Sequence, residues 1–204
     1  MFELLLGMSG GMGTYQTPRY TGRAVVVDVE TTGLDSTHDE VVEFAAVLFS
    51  FDYSDRDIVH IIDEYQEFNQ PQRPIPVAAR AVHGITDKMV HGHRLDQTRM
   101  KAIFDQAEFV VSHNARFDYP FVSRIYPPAA QRHWLCSMTQ IDWYRHGFAS
   151  RGLQFLAHAH HLDVPLAHRA KADCLTTLAL LTCRSMYMKE LLQRLLDTGL
   201  TRAT

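Results

Sequence analysis

The sequence predicts an α/β fold. Its core is a mixed five-stranded sheet, the first three strands antiparallel and the last two parallel, with helices on both faces. Three observations predict it. Three apolar or alternating stretches, Ala24 to Val29, Glu40 to Phe51 and Ile58 to Phe68, follow one another across short polar links, as antiparallel neighbours do. After a proline-rich loop, helical spacings alternate with two short apolar runs, Phe109 to Val111 and Trp134 to Cys136. The remainder reads as helix.

Taken in order, Ala24 to Val29 is nearly all apolar, the pattern of a strand covered on both faces. Thr31 to Asp39 is a polar turn around Gly33, and Asp52 to Asp57 is a short polar link. Pro71, Pro74 and Pro76 end the first half of the sheet. Val77 to Val82 forms a short helix, and Thr86 can cap another through Val90. Asp96 to Ala107 carries Met100, Ile103, Phe104 and Ala107 at helical spacing. Asn114 can cap a helix running to about Tyr126, where Pro127 and Pro128 stop it. Helices are expected over Thr139 to His146, Leu153 to Leu162 and Ala170 to Met188. Glu190 to Leu196 either continues the last or packs separately.

The 204 residues suit one core, with residues 1–21 as a flexible lead-in and 22–204 as a single domain. Apolar (46%) and charged (21%) shares are those of a water-soluble globular chain. A net charge of -3 gives no broadly basic footprint, so any nucleic-acid contact is local or bridged by cations. Cys136, Cys174 and Cys183 form no paired spacing, which points to a reducing, cytoplasmic setting rather than a disulfide framework. The apolar patch at Phe2 to Leu6 is too short to span a membrane and lacks the basic flank of a signal peptide, so no membrane partner is expected.

The chemistry starts at Val25-Val26-Val27-Asp28-Val29-Glu30-Thr31-Thr32-Gly33-Leu34. Side chains alternate faces along a strand, so Asp28 and Glu30 share one face. Two acids at the exit of a buried strand are costly unless a cation joins them. A divalent metal is one solution, and two acids at a solvent edge explain the isolated pattern as simply. Asp118 follows the Phe109 strand in His113-Asn114-Ala115-Arg116-Phe117-Asp118, near the strand's carboxyl end, where open sheets place their sites. Its plain alternative is an acid favoured by a helix N-terminus. In His168-Arg169-Ala170-Lys171-Ala172-Asp173, a loop histidine precedes a helical acid by five residues. The same separation recurs at His91, His113 and His158, so context decides: His168 opens the longest helix, whereas His113 closes a strand. His168 is thus the candidate base, and His113 is structural or adjacent to substrate. His158, His160 and His161 are read as surface or core filler.

Four motifs in order then resemble the DEDDh (DnaQ-like) branch of the 3′-5′ exonucleases. They are Val27 to Gly33, Ala81-Val82-His83-Gly84-Ile85-Thr86, His113 to Asp118, and His168 to Asp173. The resemblance spans Val25 to about Leu181 and implies a ribonuclease H-like fold. It implies Asp28, Glu30, Asp118 and Asp173 as metal-binding acids, with His168 as general base. It also implies two Mg²⁺ or Mn²⁺ ions, and Thr31, Thr32, Leu34, His83, Asn114, Phe117 and Arg169 as contacts to the 3′-terminal nucleotides. Lys171 is a further candidate for phosphate contact.

Physical chemistry agrees. Two like charges about 4 Å apart repel by about 4 kcal/mol at an effective dielectric of 20. Hard divalent cations remove that conflict and suit oxygen donors. An imidazole titrates near neutral pH, as a base for phosphodiester hydrolysis should. The expected activity is metal-dependent 3′-5′ hydrolysis of nucleic acid to nucleoside 5′-monophosphates. DNA is favoured, with a single-stranded 3′ end as partner. The alternatives are a proofreading subunit in a DNA polymerase assembly, an exoribonuclease of the same family, and a non-catalytic module that binds strand ends. Little chain follows the Ala170 helix to serve as a polymerase-binding tail. A polymerase and a second copy of the chain are the protein partners to test.

Overall fold

The computed structural model describes residues 21–52, 58–163 and 168–197. The expected lead-in falls almost wholly outside the described residues, as does most of the Asp52 to Asp57 link.

Five strands form one sheet in the order β3-β2-β1-β4-β5. Strands β1 (Thr21–Thr31), β2 (Val41–Asp52) and β3 (Ile58–Phe68) pair antiparallel. Strand β4 (Phe109–Ser112) runs parallel to β1, and β5 (His133–Cys136) parallel to β4. Ten or more residues separate β1 from β4 and β4 from β5, as parallel crossovers need.

The alternation of β1 decides what each face touches. Ala24 and Val26 face a core that also holds Ala45, Val47, Phe49, Val111 and Leu135. Over that face lie α6 (Leu153–Ala159), α7 (Ala170–Cys183) and α8 (Ser185–Asp197), through Leu156, Cys174, Leu178, Leu181, Tyr187 and Leu191. Val25, Val27 and Val29 face a second core with Phe44, Ala46, Leu48 and Val110. There α3 (Gln97–Phe104) supplies Met100, Ile103 and Phe104, and α4 (Ala115–Ile125) supplies Phe121 and Val122. Burial of each such side chain stabilises by about 1.5–3 kcal/mol. Two small helices, α1 (Val77–His83) and α2 (Asp87–Val90), cover a third cluster of Val42, Ile75, Ile85 and Val90. A single-turn helix, α5 (Ser137–Gln140), follows β5.

Several expected boundaries move, each for a tertiary reason. Asp96 caps α3 rather than joining it, accepting the Thr98 and Arg99 amides at 2.8 and 3.1 Å. Asn114 and Thr86 occupy cap positions without a side-chain cap bond. A short 3-10 turn, Pro127–Gln131, fills the stretch after α4. The expected Thr139 to His146 helix is absent beyond Gln140. Trp143 is instead buried with its indole donating to the Ser137 carbonyl at 2.8 Å, and the Asp142 amide donates to Glu190 at 2.7 Å. The helix from Leu153 stops at Ala159, and His161 takes a left-handed φ of 54°. The long helix expected over Ala170 to Met188 breaks at Arg184, whose φ of -144° and ψ of 121° are extended. The break gives α8 its own direction and lets Tyr187, Met188, Leu191 and Leu192 join the first core.

Candidate active site

Asp28 and Glu30 continue the row of Ala24 and Val26, so the strand's own alternation turns both acids to the face that α7 crosses. Cα pairing places Asp28 opposite Ala45 and Glu30 opposite Glu43. Beyond Glu30 the register slips at Thr31, and β1 ends. Asp173 lies in the first turn of α7. One carboxylate oxygen each from Asp28, Glu30 and Asp173 lie within 4.8 Å of one another. Asp118 stands in the first turn of α4, just past the end of β4, near enough to act on Asp28 electrostatically, but its oxygens fall outside that group of three. Because β1 and β4 are parallel neighbours, their carboxyl ends open at one edge, which places Asp118 beside the three grouped acids.

The electrostatics are those of like charges taken out of water. Burial first, then Asp118, Asp173, Glu30 and Glu43, hold Asp28 far above the usual carboxylate range. Burial pushes Glu30 up to about 8, helped by Asp173, Glu43 and Asp118 and opposed by Arg169. Burial likewise raises Asp118 to about 7, against the hydroxyl of Ser112, which donates to its Oδ2. Asp173 is raised by burial, while His168 and the Gln154 amide at 2.8 Å pull it down. Asp118 Oδ1 is buried with no hydrogen-bond partner. An all-oxygen donor set, crowded, proton-holding and with one orphaned acceptor, fits a hard divalent cation.

His168 is exposed beside these acids, with φ at 59° and its backbone N–H donating to Asp173 Oδ2 at 3.2 Å. A left-handed histidine is uncommon, and here its amide bonds the Asp173 carboxylate while its imidazole lies near enough to lower that group. His113 is buried, donating Nε2–H to the Arg151 carbonyl at 2.8 Å and accepting the Ser137 hydroxyl at Nδ1 at 2.9 Å. Burial lowers it to about 4, so it is a neutral brace between β4, α5 and the segment before α6. His160 packs against Trp143, Phe148 and Tyr187, within the first core.

The residues expected to contact substrate fall into two groups. Thr31 donates its hydroxyl to the Gly33 carbonyl at 2.6 Å. Thr32 donates to Asp39 at 3.0 Å and accepts the Glu40 amide at 3.0 Å. A Cβ at Gly33 would sit 2.4 Å from an Asp39 carboxylate oxygen, so any larger residue there would have to displace the Asp39 carboxylate that Thr32 holds. His83 is buried; Nδ1 accepts the Ile85 amide at 3.0 Å, so Nε2–H points to the Thr31 carbonyl at 3.3 Å. Phe117 is half-buried against Phe121, ring centroids 5.1 Å apart. Thr31, Thr32 and His83 build the loop beside the acids, whereas Phe117 packs on the second core. Leu34 differs: it is 86% exposed at the tip of the turn that follows Glu30. Asn114 is half-buried and its side chain caps nothing. Arg169 is clasped to Glu43, and Lys171 to Glu64.

Glu43, Gln154 and Ser112 were not singled out from the sequence. Glu43 left a readable trace, one carboxylate inside the apolar run Val41-Val42-Glu43-Phe44-Ala45-Ala46. Gln154 and Ser112 left none, since polar residues at such positions are ordinary.

This topology with acids at the carboxyl edge of its central strands defines a ribonuclease H-like nuclease fold. E. coli exonuclease I, solved in complex with a dT13 oligonucleotide, superposes on 87% of this chain and 43% of its own, with a TM-score of 0.65 and 20% identity. Exonuclease X, solved in complex with 5′ overhanging duplex DNA, matches 87% of this chain and 94% of its own, with a TM-score of 0.56 and 25% identity. The model of the RNase_T exonuclease family matches residues 25–181, and the chain belongs to that family. The DNA polymerase III PolC-type protein of Pediococcus pentosaceus is 31% identical over 123 residues, 59% of this chain. The chain spans only 8% of the length of that relative. Among the described residues, no helix is long and apolar enough to cross a membrane.

Proposed function

We propose that the protein is a metal-dependent 3′-5′ exonuclease that hydrolyses DNA, preferentially from single-stranded 3′ ends, to nucleoside 5′-monophosphates. One observation carries the reading: Asp28, Glu30 and Asp173 offer oxygens within 4.8 Å of one another, with Asp118 beside them, in a chain of the exonuclease family. Asp28, Glu30, Asp118 and Asp173 would hold two Mg²⁺ or Mn²⁺ ions. Bound there, the ions supply Lewis-acid charge at the scissile phosphate and offset the four carboxylates.

The chain's own residues do the rest. His168 Nδ1 or Nε2 accepts the proton of the attacking water, and its exposure lets it pass that proton on to solvent. Asp173, bonded to the His168 amide and to Gln154, fixes where the imidazole stands. Leu34 offers an apolar surface on which the terminal base rests, a contact that tolerates any base. The DNA-bound state of both solved neighbours supports DNA over RNA.

The direct test is 5′-labelled single-stranded DNA incubated with Mg²⁺ or Mn²⁺. A ladder of shortened products, lost with chelator, is expected; intact substrate would sink the reading. Duplex ends, mispaired ends and RNA in the same panel rank the substrates. The PolC-type relatives favour a second reading, action within a DNA polymerase assembly, which co-purification with a polymerase would establish. Size-exclusion chromatography with light scattering tests for a homodimer.

A further inference from the structure

Asp28, Glu30 and Asp173 converge on the β1 edge with Asp118 beside them, and one more carboxylate lies opposite Glu30 with a different set of partners. Glu43 pairs with Glu30 across β1 and β2, and its side chain is 0% exposed. A carboxylate so placed is costly unless every lone pair is met. Four donors meet it. Gln66 Nε2 and Arg169 Nη2 both donate to Oε1 at 2.6 Å. Arg169 Nε and the Ala170 amide donate to Oε2 at 3.1 and 3.0 Å. The guanidinium thus presents its fork to a single carboxylate and lies over the Phe68 ring, 5.4 Å from its centroid.

The Ala170 amide is the first of α7, one of the four that a helix cannot satisfy internally. Arg169, in the cap position, offers no side-chain acceptor of its own. A carboxylate from β2 therefore caps α7 from 127 residues away in sequence. Asp173 stands one turn along that helix, and His168 one residue before the clasped arginine.

We infer that Glu43 is a positioning residue for this site, clasping Arg169 and capping α7 so that Asp173 and His168 are held against Asp28 and Glu30. The inference rests on reading those residues as the exonuclease centre. It also reassigns Arg169, whose Nε and Nη2 are directed at Glu43, from phosphate contact to helix anchor.

Glu43→Gln keeps the volume and one acceptor but removes the charge and the matched fork. Its kcat should fall by about 10–100-fold with KM within about twofold, because the substrate surface is intact while reacting groups are displaced. Arg169→Lys keeps the charge without the fork and should behave alike, which keeps the inference testable if the first variant does not fold. If Arg169 contacts phosphate instead, Glu43→Gln frees it and lowers KM at unchanged kcat, while Arg169→Lys raises KM alone; that pattern overturns the inference.

Two readouts separate positioning from mere support. Amide hydrogen exchange on metal-free protein should speed up by about tenfold at Ala170–Asp173 and stay unchanged at Leu178–Leu181. Unchanged exchange in both variants overturns the inference, even if the wild-type protein proves to have no nuclease activity. The double variant Glu43→Leu/Arg169→Met removes both charges and should recover thermal stability without recovering kcat. Recovery of both would mean the pair only supports the fold.

Discussion

Glu30 and Glu43 face each other in register across β1 and β2, and the chain gives them opposite fates. Glu43 is enclosed by four donors, whereas Glu30 is left among Asp28, Asp173 and Asp118 with its proton held to about 8. One satisfied carboxylate thus sits against one kept short of partners. The sheet register sets the two carboxylates side by side, and Gln66, Arg169 and the Ala170 amide make the contrast.

Removing a ligand should abolish chemistry without harming the fold. Asp28→Asn is expected to lower turnover by more than about 1,000-fold, since an electrostatic clamp on the phosphate is usually the largest single catalytic contribution. The same change relieves like-charge crowding, so the metal-free variant should melt higher. A gain of about 1 kcal/mol corresponds to about 2–4 °C in a chain of this size. Residual activity near wild type, or a lower melting temperature without metal, would refute the assignment.

His168→Ala should reduce kcat by about 100- to 10,000-fold, the range of general-base catalysis, while Mn²⁺ binding measured by calorimetry is retained. The acid limb of the kcat/KM profile should flatten with it. A variant that keeps the wild-type profile places the base elsewhere.

The pH dependence of stability has a definite sign. Folded Glu30 and Asp118 keep protons that the unfolded chain has released, so stability is present at low pH and falls as pH rises towards about 8 and about 7. His113, lowered to about 4, acts oppositely: below its ordinary 6.5 the unfolded chain gains a proton that the folded chain refuses. Buried His83 shifts in the same direction. From 6.5 to about 8 the acids dominate. Thermal unfolding of chelated protein should therefore move to lower temperature across that interval, and excess Mg²⁺ should cancel the trend by replacing protons with cations. A flat curve without metal would contradict the crowding.

Leu34→Ala should raise KM for single-stranded ends by about 5- to 30-fold, the worth of about 1–2 kcal/mol of contact with the base, with a smaller effect on kcat. Steady-state kinetics on oligonucleotides differing only in the 3′ base would also show the loss to be independent of base identity. Unchanged KM would mean the exposed side chain serves something other than the strand end.

The sheet was legible because its signal is local. Val25, Val27 and Val29 on one face and Asp28 and Glu30 on the other follow from period-two alternation alone. That Asp173 comes within reach of that pair, with Asp118 nearby outside the group, was suggested only by the family resemblance, since no spacing links residues so far apart. The helix expected through His146 failed because Ile141 and Trp143 are held in the first core with α8, and the Trp143 indole is fixed by the Ser137 carbonyl, contacts that no local pattern announces. The break at Arg184 was hidden for the same reason, as apolar residues on both sides of it face one core. Arg169 was expected to contact substrate, and its bond to Glu43 left no trace because that partner lies 126 residues away.

That separation has a consequence for folding. A one-residue slip of β2 against β1 would turn Phe44 to where Glu43 stands and leave α7 without its anchor. The helix cannot dock correctly until the β1–β2 hairpin has found its register, and closing so long a loop is slow. Refolding protein should regain its sheet, seen by infrared spectroscopy, before it regains Mn²⁺ binding, which makes the metal a reporter of the last native step.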